Sequence, residues 1–175
     1  IWVPEHDRLR GPNVLVTPTS PHKFSTGRLA GLRSEPVPNI DSLPSPKVAV
    51  LVGGNSRHHT FSGADQNRFV SGLRAMAEKY DAHFLITASR RTPDSLANEI
   101  KNLAKEGGHY FWDGGGGNPY GYFLAKADAI IATADSTNMI GEATATGRPI
   151  HVFHPGGGHG KITRFLGTLG QLGCV

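Results

Sequence analysis

A chain of 175 residues, 38% hydrophobic and 18% charged, is long enough to bury one substantial core, and its composition excludes a disordered or fibrous protein. The formal charge of +4 and isoelectric point near 9.4 suit an anionic partner, yet Lys and Arg are scattered and form no run or stripe. That argues for a small phosphorylated ligand over a nucleic-acid surface, although a mildly basic protein without a charged ligand fits the balance equally well. The single cysteine, Cys174, excludes a disulfide framework and fits a reducing, cytoplasmic location; no apolar stretch reaches the roughly 18 residues of a membrane span, and no signal peptide is visible.

The chain opens on Ile1-Trp2-Val3, which reads as the inside of a strand, so residues are expected before it. Residues 1–46 are rich in Pro and weakly periodic. Val14–Thr17 is a short strand, Ser25–Arg33 a turn or two of helix, and Ser42-Leu43-Pro44-Ser45-Pro46 a linker, because Pro holds the chain extended and stops either element. This stretch is expected to be the remnant of a preceding domain.

From residue 47 to 175 the pattern is regular. Val48–Val52 is a continuous apolar, β-branched run ending in Gly53-Gly54, as in a strand buried on both faces. Ala64–Tyr80 forms a helix with Phe69, Val70, Leu73, Met76 and Ala77 on one stripe. His83–Thr87 is a strand, Thr92-Pro93-Asp94 opens a helix, His109–Trp112 is a strand, and Tyr120–Lys126 a short helix. Ala129–Thr133 is a strand and Thr137–Thr146 a helix closed by Gly147 and Pro149. Ile150–Phe153 is a strand, and Thr163–Leu172 a last helix. There is no internal repeat. Strands alternating with helices predict an α/β fold, a parallel Rossmann-like sheet with helices on both faces, whose strand-to-helix loops share one edge where ligands bind.

The loops at that edge carry the candidate chemistry. Gly53-Gly54-Asn55-Ser56 is either a tight turn or a backbone nest for phosphate; it is neither a G-x-G-x-x-G fingerprint nor a Walker loop, which disfavours a Rossmann dehydrogenase. Ser89-Arg90-Arg91 sets two guanidinium groups beside hydroxyls at the end of a strand, a pattern suited to bidentate phosphate binding; alternatively one arginine is solvated and the other pairs with an acid. In Asp135-Ser136-Thr137-Asn138, Ser136 or Thr137 caps the next helix and leaves its positive end to face a pyrophosphate, while Asp135 is either a ligand group or a cap. Glu142, farther along that helix among small residues, is placed to accept from ribose hydroxyls, and a carboxylate in such packing needs a partner. After the fifth strand, His154–Lys161 is either an anion nest with Lys161 or a mobile loop. The histidines show no ligand spacing, so no metal is expected, and no other cofactor is implied.

Ala127-Asp128-Ala129-Ile130-Ile131-Ala132-Thr133-Ala134-Asp135-Ser136-Thr137-Asn138-Met139-Ile140-Gly141-Glu142-Ala143, followed by Gly147-Arg148-Pro149, resembles the plant mitochondrial-fission (elongated-mitochondria) family and its bacterial relatives. Pro4-Glu5-His6-Asp7, Gly11-Pro12-Asn13-Val14, Ser89–Pro93 and Asn118-Pro119-Tyr120 match the same family in the same order, so the resemblance spans nearly the whole chain. It implies a two-domain, glycosyltransferase-B-like protein, of which this chain is similar to the carboxyl-terminal half with a little of the first. Bacterial members carry the label of nucleoside-diphosphate-sugar epimerases. In wider glycosyltransferase-B enzymes a glutamate followed by a Gly-x-Pro turn holds the donor's ribose, a role the resemblance carries to Glu142, and the catalytic base sits in the first domain. The function so implied is nucleotide-sugar binding for glycosyl transfer or epimerisation, with a nucleoside diphosphate or nucleotide-sugar as partner. The competing expectation is a non-enzymatic adaptor that recruits a protein partner and shows an exposed apolar patch.

Overall fold

A computed structural model describes residues 1–175. Strand β1 (Trp2–Pro4) pairs in parallel with β2 (Leu15–Thr17), a single 3-10 turn at Glu5–Asp7 lying between them. Helices α1 (Thr26–Ser34) and α2 (Pro38–Asp41) lead to β3 (Lys47–Val52), and a short β4 (His59–Thr60) precedes α3 (Gly63–Tyr80). Then follow β5 (His83–Ala88), α4 (Asp94–Glu106), β6 (Tyr110–Trp112), α5 (Tyr120–Lys126), β7 (Ala129–Thr133), α6 (Thr137–Thr144), β8 (Ile150–Phe153), β9 (Gly156–Gly157) and α7 (Gly160–Gln171).

Five of these strands form an all-parallel sheet in the order β6-β5-β3-β7-β8. The fold is the expected α/β, Rossmann-like one. Its strands read as unbroken apolar runs because both faces are covered, and the period of two sorts their side chains. Ala49 and Leu51 of β3 point into a cluster closed by α1, α5, α6 and α7 through Leu29, Phe123, Ile140 and Phe165. Val48, Val50 and Val52 point into a second cluster closed by α3 and α4 through Phe69, Leu73, Leu96 and Ile100. A capping box starts α3: Ser62 Oγ accepts from the Asp65 N–H (3.2 Å), and the Asp65 carboxylate accepts from the Ser62 N–H (3.1 Å).

Several boundaries shift by one to three residues from expectation, and two of the shifts have a visible cause. Helix α7 starts at Gly160, ahead of Thr163, because His159 Nδ1 accepts from the Lys161 N–H at 3.2 Å and caps the earlier start. Strand β6 begins at Tyr110; the His109 side chain turns back, its Nδ1 accepting from the Phe84 N–H at 3.4 Å.

The Pro-rich amino-terminal stretch is packed into the same core. Phe24, Leu29 and Ile40 lie within the first cluster, Ile40 with no exposed surface, and Leu43 packs against it. Arg33 Nε donates to the Ala125 carbonyl (2.8 Å) and Lys126 pairs with Asp41 (2.8 Å), clamping α1 and α2 to α5. By contrast β1 and β2 expose Trp2 (60%) and Leu15 (53%).

The chain runs from β3 outward to β5 and β6, then returns across β3 to β7 and β8. The loops leaving β3 and β7 therefore diverge and open a crevice at the carboxyl edge. Removing Ile40 tests whether residues 24–43 belong to the core: Ile40→Ala is expected to cost about 2–5 kcal/mol in urea unfolding. An unchanged midpoint would show that this segment is dispensable to it.

Candidate functional site

The crevice is organised around Asp135, which follows β7. Its side chain has no exposed surface, and its carboxylate accepts from the Gly54 N–H (2.9 Å), the Thr133 hydroxyl (2.6 Å) and the Arg91 guanidinium (3.1 Å). Thr133 Oγ1 in turn accepts from the Gly53 N–H at 2.8 Å. Three strand-end loops are thereby tied to one buried anion. A Cβ at Gly53 would collide with the Asp135 carboxylate and one at Gly54 with the Arg91 backbone, so both glycines are required by the approach of neighbouring loops.

These contacts sort the residues expected at the site. The N–H groups of Gly53 and Gly54 are taken within the protein. Asn55 Oδ1 accepts from the Phe61 N–H (2.9 Å), Ser56 Oγ from the His59 N–H (3.1 Å), and Ser89 Oγ from the Arg91 N–H (3.1 Å). Arg91 donates to Asp135 and to the Asn55 carbonyl (3.0 Å), whereas Arg90 is exposed and pairs with no carboxylate. Of the two arginines that look alike in sequence, Arg91 holds the loop and Arg90 is the free one. The glycine segment beyond β8 is pinned: Gly156 and Gly157 pair antiparallel with Thr60 and His59, and Lys161 forms an ion pair with Asp7.

The open chemistry lies one step further along, at α6. Ser136 adopts extended backbone (φ −127°, ψ 99°) and its Oγ accepts from the Met139 N–H at 3.4 Å, the capping role expected. Helix geometry leaves the N–H groups of Thr137 and Asn138 without intrahelical acceptors. They border a cleft of about 440 Å³ whose near wall is Thr137, Asn138, Gly141 and Glu142. The far wall is Ser20, Pro21, His22 and Lys23, from the strand-free segment after β2. Gly141 permits the approach of that segment, since a Cβ there would lie 3.2 Å from the Thr19 Cβ.

Glu142 has the partner its setting demands. Its Oε2 accepts from the Tyr120 hydroxyl at 2.7 Å. Burial, reinforced by that hydrogen bond and by the Glu142 charge, pushes the Tyr120 phenol far above its ordinary range, so it stays a donor. Lys23 also borders a neighbouring hollow of about 270 Å³ lined by Arg28, Asn118 and Tyr120, so this hollow and the trough along α6 share one side chain. His22, Lys23 and Tyr120 were not among the residues singled out by spacing, because they come from segments remote in sequence. The one local signal was Asn118-Pro119-Tyr120, where Asn118 Oδ1 accepts from the Tyr120 N–H (2.9 Å) and starts α5. No group of three or more His, Cys, Asp or Glu side chains converges as metal ligands would. No helix is long and apolar enough to cross a membrane.

The family model described as Mitochondrial fission ELM1 matches residues 1–175, the whole chain. The chain belongs to the mitochondrial fission ELM1 family. Among curated relatives it is 30% identical to the mitochondrial fission protein ELM1 of Arabidopsis thaliana over 164 residues, 93% of this chain and 38% of that protein. It is 36% identical to an uncharacterised protein of Rickettsia prowazekii over 111 residues, 62% of this chain and 31% of that protein. The chain thus spans less than two fifths of the length of these relatives.

The Asp135 tie makes a specific demand. Asp135→Asn keeps the size but turns an amide donor toward hydrogen-bond donors, and is expected to cost about 1–3 kcal/mol in chemical denaturation. Arg91→Ala, which leaves the buried carboxylate without its cation, should cost a similar amount, about 1–3 kcal/mol, moderated by the half-exposed guanidinium. Wild-type stability in Asp135→Asn would show that the three loops do not depend on it.

Proposed function

We propose that the trough along α6 binds a nucleoside diphosphate or nucleotide-sugar, with the diphosphate at the amino end of α6 and the ribose against Glu142. The observation that carries this reading is the placement, on one wall, of the free N–H groups of Thr137 and Asn138 beside a carboxylate already anchored by Tyr120. A helix start favours negative charge and its N–H groups are ready donors. A carboxylate, an acceptor only, calls for hydroxyl groups. Lys23 across the cleft and Arg90 at the neighbouring loop are the cations left for phosphate oxygens; Gly53, Gly54, Asn55, Ser56, Ser89, Arg91 and Asp135 hold the rim on which those groups stand.

Such a site serves either glycosyl transfer or epimerisation through loss and return of the nucleotide. In both, the departing diphosphate gains charge, and fixed dipoles and cations stabilise it. Under this reading residues 47–175 supply the α6 wall of the ligand-binding unit and Ser20–Lys23 its far wall. The β1–β2 pair, with Trp2 and Leu15 exposed, is under this reading the remnant of a preceding domain, and a cytoplasmic location goes with such a ligand.

One observation favours the adaptor reading instead. An apolar groove of about 210 Å³ runs between α3 and the edge strand β8, walled by Phe69, Leu73, Met76, Val152 and Phe153. It is small, with Phe69 and Leu73 nearly buried, and has room for one or two apolar side chains of a protein partner.

A thermal-shift series with UDP, GDP, ADP and CMP, each beside its nucleoside, separates the two. Ligand at a hundred times its dissociation constant adds about 2.7 kcal/mol to the folded state. Stabilisation by one diphosphate over its nucleoside supports the site, and no shift with any supports the adaptor. Thr137→Pro locates the diphosphate. Position 137 is the first of the helix and Ser136 is extended, so proline is tolerated there while one free N–H is removed. Its affinity for diphosphate should fall about tenfold relative to Thr137→Val, with nucleoside affinity unchanged; equal affinities in the two variants would reject diphosphate binding at this helix end.

A further inference from the structure

Tyr120 is a side chain that the reading above uses only as a partner, yet its surroundings are built with care. Asn118 Oδ1 accepts from its N–H and fixes the first residue of α5. Its ring packs against Phe24, centroids 5.9 Å apart, so the amino-terminal segment that walls the cleft also sets the tilt of the phenol. The hydroxyl then crosses to Glu142, on a helix that is distant in sequence, at 2.7 Å. A glutamate at a cleft wall has several rotamers open to it, and ordering one costs entropy at the moment of binding.

We propose that Tyr120 is the positioning residue of Glu142. By donating to Oε2 it locks the carboxylate in the orientation that leaves Oε1 to accept from the vicinal hydroxyls of the bound sugar. Tyr120 is the fixed donor, Glu142 the fixed acceptor, and the ligand must supply hydroxyl donors. Burial and the Glu142 charge keep the phenol protonated, so the polarity of this relay does not invert at neutral pH. The inference rests on the nucleotide reading of the trough and adds what that reading lacks: a reason for the Asn118-Pro119-Tyr120 turn, and a residue through which selectivity for hydroxylated sugars is set.

The test compares UDP with 2′-deoxy-UDP, and likewise ADP and GDP with their 2′-deoxy forms, by titration calorimetry on the intact chain. Wild type, Tyr120→Phe, Glu142→Gln and the double variant are measured. Phenylalanine keeps the ring against Phe24 and removes only the hydroxyl, and a thermal melt of each variant checks the fold. Wild type should prefer the ribonucleotide, and Tyr120→Phe should lose about tenfold in ribonucleotide affinity with little change for the deoxy form, collapsing the ratio. Adding Tyr120→Phe to Glu142→Gln should cause almost no further loss, because the two act as one unit. A wild-type ratio in Tyr120→Phe overturns the positioning role while leaving the binding site intact. Equal losses for both ligands with a lowered melt overturn it too, in favour of a purely structural tyrosine. Failure of the wild type to bind any ribonucleotide rejects the site and this role together.

Discussion

The carboxylate of Asp135 is a negative charge taken wholly out of water, and it is tolerable only because three donors meet it: a backbone amide from the loop after β3, a hydroxyl from β7 and a guanidinium from the loop after β5. Those donors come from three crossovers of the sheet, so the need to satisfy one anion sets the relative heights of the loops at the switch point. The requirement for glycine at 53 and 54 follows from it, since any side chain there would displace the carboxylate or the Arg91 backbone. So does the direction in which α6 leaves the sheet, because Ser136, its cap, is the very next residue.

This arrangement divides labour between residues that look equally functional. The groups nearest Asp135 spend their hydrogen-bonding capacity inside the protein, and the groups one helical turn away keep theirs. Thr137, Asn138 and Glu142 face the cleft, Lys23 faces them, and Tyr120 is held by Phe24 on one side and Glu142 on the other. The segment after β2 is therefore part of the site's architecture as well as of the core, since Phe24 serves both.

Much of the fold was legible because of how parallel sheets are covered. Strands buried on both faces need apolar residues at every position, so β3 and β7 stand out as continuous runs, and the amphipathic stripe of α3 marks the face it covers. The cap at Ser136 was legible for a similar reason, being a contact between residues three apart. What sequence could not reveal were contacts made across long separations. Nothing local distinguishes Arg90 from Arg91; only the position of Asp135 does. Nothing in a Pro-rich stretch announces that Phe24, Leu29 and Ile40 complete a core, because α1 and α2 are short and take their place from α5. The Tyr120–Glu142 bond joins two helices through the fold alone. Local signals reported turns and periods, and tertiary approach decided which polar groups were left free.

At the far end of the same carboxyl edge, residues 113–118 obey different rules. Gly114 and Gly116 hold left-handed backbone (φ 94° and 68°), Trp112 Nε1 donates to the Gly115 carbonyl at 2.8 Å, and the segment is exposed from Asp113 to Asn118. One part of this edge is thus locked by a buried anion, while another is a glycine arch stitched mainly to itself. Insertions in that arch, and replacements away from Gly114 and Gly116, cost folding little. The carboxyl edge therefore joins a stretch that tolerates change to one where a single substitution disturbs three loops.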